Sequence, residues 1–302
     1  MALHVFGAII TGFGVAANNR GETEGNITTL QKLLWRNAVH TTVSAEAIRF
    51  AIRRRLAEGD DKCNRTYSDD ESKNEWADPG FKKWLSGSAE ESYIDDDLLG
   101  FMSADAAKEE NTKGAKVRRA VLEITRAISL TPWSGDVTFN AASIGATPSA
   151  QKKGSNPVPY GTEMHATRYQ YGFALTPERL RVPERSKTAI RALCDLGAIA
   201  GNNGRFLFDF SPDAIVLRVT HDPAPRLLYG FGIEHDRVTM PDILRKIRAG
   251  DIAANELIIG GSAAISLADA DRALLNNAAI TEGIKQACEA VCVHLESVKV
   301  SA

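Results

Sequence analysis

The apolar run Leu3 to Thr11, LHVFGAIIT, leads straight into GFGVAANNRG, residues 12 to 21, and no helix follows it. A strand followed by G-x-G-x-x-A (Gly12, Gly14, Ala17) outlines a dinucleotide-binding turn, in which glycines let the backbone approach a pyrophosphate that faces a helix N-terminus. Here Asn18-Asn19-Arg20-Gly21 would have to supply the first turns of that helix, and Asn and Gly oppose it. An acidic residue about twenty positions on is also missing, since Lys32 to His40 contains none. The stretch therefore reads as a loop beside a sheet rather than a Rossmann site. In such a loop Asn18, Asn19 and Arg20 offer several donors to phosphate oxygens and ribose hydroxyls, although Asn-Asn-Arg-Gly also suits a plain surface turn.

The rest of the chain alternates types. LQKLLWR and VHTTVS read as a short hairpin around Asn37-Ala38. SAEAIRFAIRRRLAEG is a helix from Ser44, with an N-cap Ser, an apolar stripe Ala45/Ile48/Ile52/Leu56 and Gly59 as stop. The pattern predicts a further helix over 116–129, a strand at 136–142, and a strand at 164–175 with His165, Tyr169, Tyr171 and Phe173 on one face and Arg168 and Gln170 on the other. A helix over 184–199 and a hairpin made of RFLFDF and AIVLRV complete the central part. Strand 3–11, helix 44–57, strands 136–142 and 164–175, helix 184–199 and strand 206–219 follow the order β-α-β-β-α-β. That order predicts an α+β fold with a ferredoxin-like, RNA-recognition-motif palm.

Charge is distributed unevenly. The net charge of −2 hides residues 59–115, with seven Lys/Arg against fifteen Asp/Glu, while the remainder of the chain is net positive. A nucleic-acid face on the body is compatible with this, provided the acidic block points elsewhere. Arg49, Arg53, Arg54 and Arg55 lie on one helix and suit either a solvated face or a phosphate-binding face. Asp95-Asp96-Asp97 lacks partner ligands at metal-binding spacing and is expected to be a solvated turn or helix start. Between residues 143 and 163 a Gly, Pro and Ser-rich stretch carries Lys152 and Lys153 at its middle, and loops of that length are usually functional or disordered.

Several classes drop out. No G-x-S-x-G elbow or Walker loop is present, no nucleophile can be assigned to His40 or His165, and Cys63, Cys194, Cys288 and Cys292 show no C-x-x-C spacing. Cys288 and Cys292, at i and i+4 with His294 nearby, read as core thiols before metal ligands. Catalysis, a metal and a cofactor are not expected. No run of about 18 apolar residues exists, so a membrane is not an expected partner and the cytoplasm is the expected location.

The run FGAIITGFGVAANNRGETEGNITTLQKLLWRNAVHTTVSAEAIRFAIRRRL resembles the N-terminal signature of the DevR-type Cas seven family, the repeated backbone subunit of subtype I-B CRISPR Cascade complexes. YIDDDLLGFM and YGTEMHATRYQYGFAL are similar to further family segments, and the C-terminal third is less diagnostic. The resemblance implies a hand: a palm of residues 1–58, 116–142 and 164–302, fingers at 59–115 and a thumb at 143–163. It implies guide crRNA as a partner, target DNA bound through that RNA, copies of the chain arranged head-to-tail, and other Cascade subunits. The family's RNA cleft falls near Asn18, Asn19, Arg20, Asn26 and Ser44, with Arg49 and Arg53 as phosphate contacts, Lys152 and Lys153 in the thumb, and His165 and Arg168 at its base. The chain has no aromatic RNP pattern, so contacts are expected from loops and a helix face. The alternative is a stand-alone RNA-binding or regulatory protein on the same palm.

Overall fold

The computed structural model describes residues 1–17, 23–59, 62–89, 91–103, 116–141, 159–199 and 207–300. Strand β1 (His4–Thr11) lies at the centre of a nine-stranded sheet, paired antiparallel with Tyr169–Leu175 on one side and Pro212–Thr220 on the other. Its near-continuous apolar sequence follows from burial on both faces. Val5 and Ile9 join one core, while Phe6, Ala8 and Ile10 join another. Gly7 is required between them, because a Cβ there would sit 2.1 Å from the Phe173 ring.

Beyond Pro212–Thr220 the sheet continues through Leu257–Gly261 to Ala279–Thr281. Beyond Tyr169–Leu175 it continues through Ala127–Ser129 to the hairpin Ala38–Val43 and Lys32–Trp35. The first core is closed by helix α1 (Ala45–Glu58), Arg185–Cys194 and Ile284–Val300. The second is closed by Pro241–Arg248 through Ile243, Leu244 and Ile247. The N-terminal hairpin forms with its turn one residue earlier than expected, at Arg36-Asn37, where φ values of 47° and 65° give the left-handed pair a two-residue loop requires.

Four expectations are corrected. Residues 116–129 form the strands Lys116–Arg118, Leu122–Ile124 and Ala127–Ser129 rather than a helix. Leu122 pairs with Leu175 and Ile124 with Phe173, so β-branched and apolar residues find a sheet edge that outweighs helical spacing. Val137–Ala141 lies outside the central sheet and pairs with Pro159–Thr167, and its expected central place is taken by residues 122–129. The strand expected at 164–175 is two strands, Pro159–Thr167 and Tyr169–Leu175, broken at Arg168. The alternation itself survives the break, and His165, Tyr169, Tyr171 and Phe173 are all buried. Of the hairpin expected over 206–219 only the second strand forms among the described residues; Phe208 and Phe210 instead pack against Tyr169 in the core.

A smaller sheet grows from Pro159–Thr167, which pairs antiparallel with β2 (Gly14–Ala17) and Val137–Ala141 and parallel with Ile27–Thr28. Within residues 59–115 the described part holds a hairpin, Arg65–Ser68 with Lys73–Trp76, and the short helices Lys82–Leu85 and Ile94–Leu99. No helix among the described residues is long and apolar enough to cross a membrane.

Candidate nucleic-acid interface

The small sheet gathers the segments that carry the loop candidates. Ala17, which precedes Asn18, pairs with Met164, and Ala141 pairs with Pro159 across the stretch that contains Lys152 and Lys153. Asn18, Asn19, Arg20, Lys152 and Lys153 themselves lie outside the described residues. Asn26 is exposed beside Gly25, whose φ of +61° makes the turn, and its carbonyl accepts the Gly161 amide at 2.8 Å. Its side chain is exposed while its backbone is fixed to the sheet.

His165 is on the same strand but points inward. It is 3% exposed, its Nδ1 sits 2.7 Å from Thr41 Oγ1, and its Nε2 lies 3.4 Å from Thr131 Oγ1. Burial holds its pKa below the usual imidazole range. Thr41 Oγ1 also reaches Tyr169 OH at 2.8 Å, and burial raises that phenol to about 12. His165, expected at the thumb base, is thus buried, and its contact with Thr41 joins the small sheet to the hairpin strand Ala38–Val43 of the central one. Arg168 occupies the break between the strands, where Nη1 donates to Thr11 O at 3.0 Å and to Asp213 Oδ2 at 2.6 Å. It ties the break between the two strands to Thr11 and Asp213.

The α1 candidates have a different setting. Ser44 caps the helix, its Oγ accepting the Ala47 amide at 3.1 Å. Arg49 is half-buried and donates through Nη2 to Leu99 O at 2.7 Å; burial, and then the Arg53 charge, lower its pKa. Arg53 donates through Nε to Asp95 Oδ2 at 3.1 Å, and Arg54 and Arg55 pair with Asp69 and Asp195 at 3.2 Å each. The basic face is not a bare solvated face, because the Leu99 carbonyl and the carboxylates of Asp95, Asp69 and Asp195 meet its four arginines.

The acidic triplet supplies one of these carboxylates and corrects a second expectation. Asp95, Asp96 and Asp97 do start a helix, yet none is solvated: they are 2%, 3% and 0% exposed. Asp95 accepts the Asn64 and Arg65 amides at 2.6 and 3.1 Å besides Arg53. Asp97 accepts Arg118 at 3.0 Å, Arg185 at 2.9 Å and the Arg181 and Val182 amides at 2.9 and 3.1 Å. Among the described residues Asp96 receives only Asn64 Nδ2, at 3.0 Å, and burial beside Asp95 pushes its carboxyl up to about 7. The signal available in the sequence was the surplus of carboxylates at 59–115 facing an arginine-rich helix; only the distance between them in the chain concealed the match. No group of three or more His, Cys, Asp or Glu among the described residues is placed to hold a metal ion.

Residues 9–200 match the family described as CRISPR-associated negative auto-regulator DevR/Csa2. A protein of Myxococcus xanthus (strain DK1622), named CRISPR-associated protein Cas7/Cst2/DevR, is 62% identical over 299 residues, covering 98% of this chain and 99% of that protein. In fold the chain is similar to a chain of a "CRISPR RNA-guided surveillance complex, pre-nicking", with TM-score 0.59 and 12% identity over 96% of this chain and 99% of that one. It is also similar to one from a "CRISPR RNA-guided surveillance complex", with TM-score 0.54 and 14% identity over 97% and 99%. With the family match spanning the N-terminal two strands through the helix Arg185–Cys194, and a relative alike from end to end, the chain belongs to the Cas7-type DevR/Csa2 family of CRISPR-associated proteins.

Proposed function

We propose that this chain is the repeated backbone subunit of a subtype I-B Cascade surveillance complex, holding guide crRNA by its sugar-phosphate backbone and leaving the bases free to pair with a target DNA strand. Identity of 62% over nearly the whole chain to a Cas7/Cst2/DevR protein carries the reading. The order Pro212–Thr220, β1, Tyr169–Leu175, Ala127–Ser129, with α1 and Arg185–Cys194 on one face, supports a ferredoxin-like palm. On this reading residues 59–115 are fingers and 143–163 a thumb. Copies associate head-to-tail along the RNA, beside other Cascade subunits, in the cytoplasm. Sequence is read by base pairing, and the protein reads shape and charge. The subunit performs no catalysis.

The proposed grip centres on Asn18, Asn19, Arg20 and Asn26 with Lys152 and Lys153, of which Asn26 lies in the described turn between two strands of the small sheet. The α1 arginines contribute positive potential more than direct contacts. Purifying the protein from its native host and measuring co-purifying RNA and particle mass tests the proposal: uniform repeat-derived RNA in a large particle is expected. If about four phosphates are neutralised per subunit, log affinity falls with log salt at a slope near −3, using about −0.7 per phosphate for single strands. Mixed RNA on a monomer would instead support a stand-alone regulator, a reading favoured by the auto-regulator wording of the matched family.

A further inference from the structure

The face of the central sheet opposite α1 is closed by Pro241–Arg248, whose Ile243, Leu244 and Ile247 share a core with Phe6, Ala8 and Ile10 of β1. The same face runs on from Ile10 through Gln170 and Ile128, side by side on adjacent strands, to Thr42 in the hairpin that ends the sheet. Side chains alternate along a strand, and Thr42 N donates to Gln31 O at 2.8 Å, so Gln31, Leu33 and Trp35 lie on this face with Thr42. Here the face is open. Leu33 is 40% exposed, and Gln31, Arg36 and Arg126 are exposed.

Two guanidinium groups and two aromatic rings meet there. Arg126 donates through Nη1 to Gln31 Oε1 at 3.0 Å and to Thr42 Oγ1 at 3.1 Å, both uncharged. Tyr229 links it to the tip of the hairpin: its hydroxyl donates to Arg126 O at 2.8 Å, and its ring lies 5.1 Å from that of Trp35. Tyr229 does so at a φ of 54°, a left-handed conformation uncommon for an aromatic residue. Arg36 follows in the turn, with its guanidinium 5.8 Å from the Trp35 ring. Among the described residues neither Arg36 nor Arg126 has a carboxylate partner, whereas Arg53, Arg54 and Arg55 each do. Positive charge uncompensated within the chain, beside aromatic rings, matches a strand whose phosphates meet the guanidinium groups and whose bases stack.

We propose that this open end of the central sheet is a contact site for single-stranded nucleic acid, in which Arg36 and Arg126 hold phosphates and Trp35 and Tyr229 pack against a base. RNA and DNA strands share that chemistry. The site is separate from the grip around Asn26 and does not depend on the guide-RNA reading.

The test measures fluorescence anisotropy of labelled oligouridylate and oligothymidylate with the full chain freed of nucleic acid, and maps ultraviolet cross-links by mass spectrometry. Binding is expected, with cross-links in the peptides that carry Trp35 and Tyr229. Trp35→Leu should weaken affinity about tenfold, because one stacked base is lost. Arg36→Asn, which suits the left-handed turn at φ 47°, should make the salt slope shallower by about 0.7 for one lost phosphate contact. Arg36 is exposed in that turn, so this variant serves should Trp35→Leu fail to fold. Arg191→Gln removes the same charge from an arginine paired with Glu289 and should leave the slope unchanged. An equal loss there reduces the effect to net charge and overturns the site. Absence of binding, cross-links confined to other peptides, or unchanged binding in both variants also overturns it. If Trp35→Leu instead dissociates self-associated chains while oligonucleotide affinity is unchanged, the face belongs to a protein neighbour and the proposal falls. Tighter binding of oligouridylate assigns the site to RNA, and of oligothymidylate to DNA. Asn26→Ala reports on the small-sheet grip in the same assay, so either surface can fail without the other.

Discussion

The basic face of α1 and the small sheet on Pro159–Thr167 both carry residues suited to phosphate, yet the fold uses them oppositely. On α1, each of the four arginines has a partner within the chain: Arg49 a carbonyl, Arg53, Arg54 and Arg55 carboxylates. On the small sheet the buried groups, His165 and Glu163, serve the interior, Glu163 accepting the Leu30 amide at 2.7 Å and Lys32 at 2.6 Å. Asn26, at the edge of the same sheet, keeps its side chain exposed. Clustered positive charge is thus a poor guide to a binding face where an acidic insertion can fold back over it. Asn26, fixed to the sheet by its backbone with its side chain exposed, is the described position where the proposed RNA contact is open to test.

The largest expected effect breaks the acidic side of the clamp. Asp97→Asn leaves Arg118 and Arg185 without their buried carboxylate and should cost about 3–5 kcal/mol in a urea unfolding experiment. Retention of wild-type stability would mean that residues 59–115 are not held as described. Next, Arg53→Met keeps the length of the side chain but strands Asp95, and a loss of about 2–4 kcal/mol is expected. If Arg53 acted only on RNA, Tm would stay unchanged while RNA affinity fell, and the contrast between the two regions would collapse.

Asp96 sharpens the comparison through pH. Its carboxyl is raised from 3.8 to about 7, so the folded chain retains a proton there that the unfolded chain has released. Folded protein binds the extra proton between about pH 4 and 7, so stability from this group is present at low pH, declines across that window and is flat above it. Asp96→Asn should abolish that component, and its Tm should exceed that of the wild type at pH 8 by more than at pH 5. A difference constant with pH would show that Asp96 is charged throughout. The smallest effect belongs to Arg54, 54% exposed and paired with Glu58 and Asp69, both exposed. Arg54→Ala should change stability by about 0.5 kcal/mol or less, and less again at high salt.

Local chemistry made several elements legible. Ser44 and Gly59 bounded α1 because capping is a property of a few adjacent residues. The alternation from His165 to Phe173 revealed a buried face because period-2 patterning reports burial directly. The same patterning could not show that the strand breaks at Arg168, which depends on Thr11 and Asp213 arriving from elsewhere in the chain.

Residues 116–129 and 137–141 mark where local reading ran out. VRRAVLEITRAI satisfies helical spacing nearly as well as it fits a strand, and the choice fell to the free edge of Tyr169–Leu175. Val137–Ala141 is a strand by its own residues, but its sheet was decided by Pro159–Thr167. The amino-acid order sufficed for the family signature, the central strand and the capped helix, because each is written in contiguous residues. The occupancy of the α1 arginines, the burial of the Asp triplet and the inward turn of His165 came only with tertiary structure, because a charge acquires its role from partners that lie, for Arg53 and Asp95, 42 positions away in the chain.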